Sequence, residues 1–408
     1  ERLSEREGKT ASGASLRARR NSETGEWLPA AGNLVVRCDS STVLNPGDRA
    51  VVRGKIYPFT ARHGGYGRLM TRRGYVGTLY LNRSSLLLRD TLHRELSPKH
   101  LSLFLHERAV ARLDRLALAP DEQALCNAMT AGDRRSLSPA LRAAYSRSGT
   151  SHLLAVSGLH VGIVFLLANL LLWWLPLFRH GHILRNIAVI LLIWLYAATT
   201  GFPPSVVRAA LMFSVLQFAL ASSSEYVGMN TLAGVAFVML LFHPDYLFDI
   251  SFQLSFIAVA GIIAWGLPLC RLLRTRRKSI DMLTATLAIG FSASAATAPL
   301  ISHTFGQISV VGLALNPVVI LLSYVVVGSC TLWLVIPGTA LAPLFSVVAG
   351  FAARAQNELI RAAAALPAAA LDIRLTTTQC WSVYGLFIFA TLLLWSAERK
   401  KSVSSLPE

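Results

Sequence analysis

The chain has 408 residues, 53% hydrophobic and only 15% charged, with a mean hydropathy of +0.49; that is membrane-protein composition and excludes a wholly soluble globule. The formal net charge of +17 is unevenly spread: residues 1–150 carry 25 Lys+Arg against 14 Asp+Glu, so the first third is basic and water-soluble and the remainder apolar. The five cysteines form no CxxC or metal-ligand spacing, which leaves no basis for a zinc site or a dithiol redox centre, although Cys38 and Cys126 are candidates for a disulfide in an oxidising compartment.

Residues 1–30 are charged and aperiodic and read as a flexible lead-in with no secretory signal; the chain does not begin with Met and is expected to be a fragment. From 31 to 90, the short β-rich runs NLVVRC, RAVVRGKI and YVGTLYL, separated by NPGD and RHGGYGR, predict a small β-rich domain compatible with a barrel. Residues 91–150 form a helical connector: apolar residues recur at spacings of three and four, a second helix covers 121–129, and Ser138-Pro139 reads as an N-cap and first helical position with an end near Gly149. Membrane spans need about 20 apolar residues. Candidates are 153–176, 184–201, 204–221, 227–242, 247–268, 282–301, 308–336, 341–365 and 381–396. The seventh is interrupted at Asn316-Pro317, so a broken or re-entrant element competes with a Pro-kinked helix, and the eighth could equally lie in the interface as an amphipathic helix. The fold class is therefore an α-helical polytopic membrane protein of about eight or nine spans within 151–396, preceded by the β domain and connector and followed by a basic tail, 397–408. The basic loop RLLRTRRKS (271–279) and the tail ERKK set the cytoplasmic side, which places residues 1–150 on the outer face of the cytoplasmic membrane.

Polar and flexible residues at membrane depth cost free energy and usually line a path or a protein contact. HLLAVSGLHV (152–161) supplies His152, Ser157 and His160. Ser157 and His160 are three apart and could be a nucleophile and its base, a close-packing helix face, or part of a polar path. GFPPSVVRA (201–209) opens a span on a double proline and adds Arg208, either a snorkelling interfacial arginine or a cation facing a conduit for an anionic backbone. In HPDYLFDISFQLSF (243–256), Asp249 and Gln253 share a face, and Asp249 either caps the helix or pairs with Arg208. Asn316 lies in the interrupted seventh run. In the basic domain, Arg53, Lys55, Arg62, Arg68, Arg72 and Arg73 are interleaved with Tyr57, Phe59, Tyr66, Tyr75 and Tyr80, a pattern that suits single-stranded nucleic acid or simply a solvated charged face. No Walker loop, HExxH or GxSxG occurs, so a conduit in this chain would have no motor of its own.

Four stretches, in order, resemble the ComEC family of competence proteins, the inner-membrane DNA channels of natural transformation: GTSHLLAVSGLHVG (149–162), GFPPSVVRAALM (201–212), NTLAGVAFVMLLFHPDYLFDISFQLSF (230–256) and FGQISVVGLALNPVV (305–319). AGDRRSLSPALRAAYSRSG (131–149) resembles the segment leading into the first; the likeness covers about 120–396 and is weaker over 1–90, which looks like the family's oligonucleotide-binding (OB) fold loop domain. Many members carry further helices before that domain and a metallo-β-lactamase-like domain at the end; neither matches here, and there is no HxHxDH cluster. The resemblance implies a non-enzymatic channel for single-stranded DNA, without cofactor or metal, lined by some of the residues above. An outer DNA receptor would deliver the strand and a cytoplasmic ATPase or strand-binding proteins would pull it; the bilayer and a second copy of the chain are further partners. The rival readings are an intramembrane hydrolase using Ser157, perhaps with His303, and a small-molecule or lipid transporter.

Overall fold

The computed structural model describes residues 2–6, 9–21, 24–39, 48–59, 67, 70–71, 74–90, 98–222, 228–275, 277–309, 311–336, 341–366 and 369–404. The chain divides into two compact units, Glu1–Glu107 and Arg108–Glu408.

The first unit is β-rich. Strands β1 (Arg2–Arg6), β2 (Lys9–Arg20), β3 (Trp27–Cys38), β5 (Ile56–Pro58) and β6 (Tyr75–Leu81) form one sheet in the order β1-β2-β3-β6-β5, and β4 (Arg49–Val52) pairs with β7 (Leu86–Asp90). Alternation along β3 and β6 puts Leu34, Val36, Cys38, Leu79 and Leu81 into one small core with Leu16 and Val52 packed on it. Residues 1–30 are thus not a flexible lead-in throughout: β2 pairs antiparallel with β3 from Thr10↔Cys38 to Arg20↔Trp27. Its partner lies across a turn, and the small and charged residues of KTASGASLRARR give no apolar alternation of their own, so local pattern hides it.

The second unit is helical. The connector comprises α1 (Pro98–Leu113, whose first residues belong to the other unit), α2 (Pro120–Thr130) and α3 (Pro139–Arg147), the last opened by Ser138, whose Oγ accepts from the Leu141 N–H at 3.2 Å. There follow α4 (Gly158–Leu171), α5 (Gly181–Thr199), α6 (Pro204–Ser222), α7 (Gly228–Phe242), α8 (Ile250–Gly261), α9 (Leu267–Leu272), α10 (Lys278–Phe305), α11 (Val311–Val335), α12 (Ala342–Ala364) and α13 (Thr377–Ser404). Among the described residues, five helical stretches are long and apolar enough to cross a membrane: Gly158–Leu177, Gly181–Thr199, Ile250–Leu272, Ile280–Phe305 and Ala314–Val335. The apolar helices Pro204–Ala219 and Gly228–Phe242 are shorter. A π turn, Ile262–Gly266, joins α8 to α9.

The alternatives at Asn316-Pro317 resolve to a continuous helix: α11 begins at Val311 and runs through Pro317. The break precedes it, where β8 (Ile308–Ser309) pairs with β9 (Ala370–Leu371). Helix α12 turns a polar stripe onto the connector. The Tyr145 hydroxyl donates to Asn357 Oδ1 at 3.1 Å, Gln356 Nε2 donates to Tyr145 Oη at 3.3 Å, and Arg354 pairs with Glu122 at 2.7 Å. Burial pushes the Tyr145 phenol well above its usual range, so it stays a donor. The Cys38–Cys126 disulfide is not formed. Cys126 instead hydrogen-bonds Cys330, and that contact together with burial raises its thiol well above the ordinary value.

Candidate functional site

The segment LAVSG turns from a 3-10 turn (Ser151–Leu154) into α4. Ser157 is extended (φ −126°, ψ 178°) and is the N-cap, not a residue inside the helix. His160, three residues on, folds back: the Ser157 N–H donates to His160 Nδ1 at 3.0 Å, and Ser157 Oγ lies 3.0 Å from the same nitrogen. A ring nitrogen that accepts a backbone N–H carries no proton, so the proton sits on Nε2. His160 is fully buried and its Nε2 has no partner among the described residues. It is a donor without an acceptor inside an apolar helix cluster, a costly arrangement unless something else supplies the acceptor.

Across from this N-terminus, Pro203-Pro204 starts α6 and Ser205 Oγ donates to the Val156 carbonyl at 2.8 Å, fixing the two helix starts together. Arg208 follows one turn later. It is 6% exposed, its Nε has no partner, and no carboxylate pairs with it among the described residues. Its guanidinium carbon stands 5.7 Å from the Phe256 ring centroid, a cation–π contact. A Cβ on Gly158 would lie 3.2 Å from Arg208 Nη2, a tight contact that a shift of a few tenths of an ångström would relieve, so the glycine lets the guanidinium lie close beside the N-terminus of α4. Helices α4 and α6 run side by side from there: Gly162 faces Phe213, Phe165 stacks on Phe213 at 4.8 Å, and Asn169 reaches Gln217 at 3.5 Å.

Of the other residues singled out in the sequence, His152 is exposed in the 3-10 turn and lies close enough to His160 for the two rings to interact electrostatically, while the rest stand apart from this point. Asp249 is not the partner of Arg208: its Oδ1 accepts from Ser251 N–H at 2.8 Å and Phe252 N–H at 3.2 Å, capping α8, while Gln253 Nε2 donates to the Leu247 carbonyl at 2.7 Å. Asn316 is half-buried in α11 with Oδ1 unpartnered. His303 is exposed and bonds the Leu375 carbonyl through Nδ1 at 2.9 Å.

A second polar cluster escaped the sequence reading. Arg185 Nη2 donates to Asn169 Oδ1 at 2.9 Å, and Gln217 Nε2 donates to Asn186 Oδ1 at 2.7 Å. Asn169, the adjacent Arg185 and Asn186, and Gln217 come from three separate apolar runs and make no local motif, so only helix packing reveals the cluster.

In the first unit, β-sheet register brings an exposed cation–aromatic strip together. Tyr57 and Tyr80 meet edge-to-face at 5.8 Å, Lys55 Nζ lies 5.9 Å from the Tyr57 ring and Arg37, the cross-strand neighbour of Tyr80, lies 5.9 Å from its ring. Arg53 is exposed on the adjoining segment, and its backbone N–H donates to the Ser85 carbonyl at 2.8 Å. Tyr75 and Phe59 pack instead against Val35 and Met70. Arg62, Tyr66, Arg68, Arg72 and Arg73 lie outside the described residues. Arg37 was absent from the sequence-level set because only strand pairing sets it beside Tyr80.

Comparison with known proteins bears on the family to which the chain belongs. The family described as "Competence protein" matches residues 129–400, more than half of the chain and all of the helical elements just described from the end of α2. "ComE operon protein 3" of Bacillus subtilis (strain 168) is 33% identical over 204 residues, covering 49% of this chain and 24% of that protein. An uncharacterized protein of Aquifex aeolicus (strain VF5) is 29% identical over 201 residues, covering 49% of this chain and 45% of its own length. The chain thus spans less than half of either relative, and no solved structure matches it. With its motifs in order and the matched region covering most of the helical unit, the chain belongs to the ComEC family of competence proteins.

Proposed function

We propose that this chain conducts single-stranded DNA across the cytoplasmic membrane during natural transformation. Membership of the competence family supports a role in DNA uptake; the observation that carries the finer reading is Arg208, a buried guanidinium whose Nε has no partner and which no carboxylate pairs with among the described residues. An isolated cation in an apolar bundle is expensive to keep and is matched by an anion that arrives. The absence of any Asp or Glu between Asp133 and Glu225 in the sequence supports the same reading, because that stretch holds seven arginines and nothing that repels phosphate. In this reading the protein crosses the membrane eight or nine times, α6, α7, α12 and α13 adding to the five long apolar helices. Its β-rich unit is OB-like, faces outward and receives the strand on Tyr57 and Tyr80, with Arg37 and Lys55 at the phosphates. His160 and Arg208 lie on the path. An outer DNA receptor delivers the strand and a cytoplasmic ATPase or strand-binding proteins pull it, the chain performing no chemistry itself.

The test is fluorescent double-stranded DNA given to cells whose only copy carries Arg208→Gln. Label that halts in the outer compartment, with transformation reduced to the level of the deletion and the variant present in the membrane, is the expected result. Normal cytoplasmic uptake would overturn the assignment of Arg208.

A further inference from the structure

The short turn between α4 and α5 forms a groove that the conduit reading does not use. Trp174, Leu175, Phe178, Ile183, Leu184 and Ile187 line it, an open groove of about 560 Å³. Its shape is set by the backbone. Gly181 is buried, and a Cβ there would lie 1.7 Å from the Leu175 carbonyl oxygen, so only glycine lets the chain close this tightly. The Phe178 N–H donates to the Leu175 carbonyl and the Gly181 N–H to the Phe178 carbonyl, both at 3.0 Å, holding the turn closed. The groove is preformed.

Its place in the chain is a membrane boundary: one candidate span ends at Leu177 and the next begins at Gly181. Trp173, Leu177 and Phe178 are 65%, 78% and 64% exposed, the disposition of an interfacial aromatic belt. The rim carries the fixed cation Arg179, with His180 and His182 exposed beside it as hydrogen-bond donors, whereas Arg185 turns inward to Asn169, and no carboxylate occurs in the sequence from 134 to 224. An apolar slot, an aromatic collar and an uncompensated basic rim at a membrane boundary complement one molecule that the bilayer supplies at high local concentration. We infer that the α4–α5 turn binds an anionic phospholipid, an acyl chain lying along the groove and the phosphate headgroup held by Arg179 with His180 and His182. A zwitterionic lipid matches the slot but brings no net negative charge for the rim.

The experiment uses the full chain reconstituted in phosphatidylcholine nanodiscs containing a minor fraction of lipid with brominated acyl chains, either phosphatidylglycerol or phosphatidylcholine. Bromine quenches nearby tryptophan, and subtracting the Trp174→Phe variant isolates the groove signal. Brominated phosphatidylglycerol is expected to quench Trp174 several-fold more than brominated phosphatidylcholine at equal fraction. The exposed triple variant Arg179→Gln, His180→Gln, His182→Gln is expected to abolish that preference while leaving quenching by phosphatidylcholine unchanged, which also reports that the fold is intact. Equal quenching by the two headgroups in the unaltered protein overturns the proposal. So does a triple variant that keeps the preference and loses binding of a single-stranded oligonucleotide, since the rim would then serve the strand.

Discussion

Two polar clusters in the helical unit are built from similar residues and treated in opposite ways. Where α12 meets the connector, cations are matched: Arg354 has Glu122, Arg361 has Asp121, and Tyr145 is tied to Gln356 and Asn357. Where α4 meets α6, among the described residues Arg208 has an aromatic face but no carboxylate, and His160 keeps a buried nitrogen unpartnered. The first pattern is what stability selects, because a buried polar group is inexpensive only when paired. The second lowers stability and so calls for a function. The two differ in burial as well as in pairing: the Arg354 and Arg361 side chains are 63% and 50% exposed where Arg208 is 6% exposed, and the first cluster still leaves Gln356 Oε1 without a partner among the described residues.

The largest effect is expected at the matched cluster. Tyr145 is fully buried, so Tyr145→Ala removes a ring from the core and strands the Asn357 and Gln356 amides; a loss of about 3–5 kcal/mol is expected from a truncation of this size. Thermal unfolding in detergent measures it, and a shift near zero would mean that α12 does not anchor the connector. At the unmatched cluster the sign reverses. Arg208→Met removes a desolvated charge and is expected to leave the chain unchanged or more stable by about 1–3 kcal/mol while uptake is lost. A clear drop in the unfolding midpoint would make Arg208 a structural residue and break the contrast. Asp249→Ala deletes an N-cap and is expected to cost about 1 kcal/mol. Combined with Arg208→Met, the two effects add to within about 0.5 kcal/mol, because the residues do not pair; strong coupling would revive the Arg208–Asp249 bridge. The smallest effect belongs to Arg354→Gln, whose side chain is 63% exposed, with an unfolding midpoint that barely moves and moves less still in salt.

The π turn at Ile262–Gly266 belongs to neither cluster. It re-aims the second half of the α8–α9 stretch so that Trp265 Nε1 donates to Thr391 Oγ1 at 2.8 Å, tying this span to α13. No residue in IIAWG announces it, because a π turn depends on which neighbours compete for space and hydrogen bonds.

Sequence alone determined the division into a basic first third and an apolar remainder, the membrane class, the positions of the long apolar helices, the Ser138-Pro139 helix start and the polar residues at depth. Those are read from composition, periodicity and capping chemistry, which act over one or two helical turns and are printed in the local string. The tertiary structure decided what each polar residue touches. It assigned Asp249 to a helix cap, made Ser157 an N-cap whose backbone N–H meets His160, and carried α11 through Pro317. Strand pairing brought Arg37 beside Tyr80 and gave residues 9–20 a partner in β3. Helix packing gathered Asn169, Arg185, Asn186 and Gln217 from three separate runs. Whether a buried cation is neutralised depends on groups far away in the chain that packing places next to it, and local spacing holds no record of them.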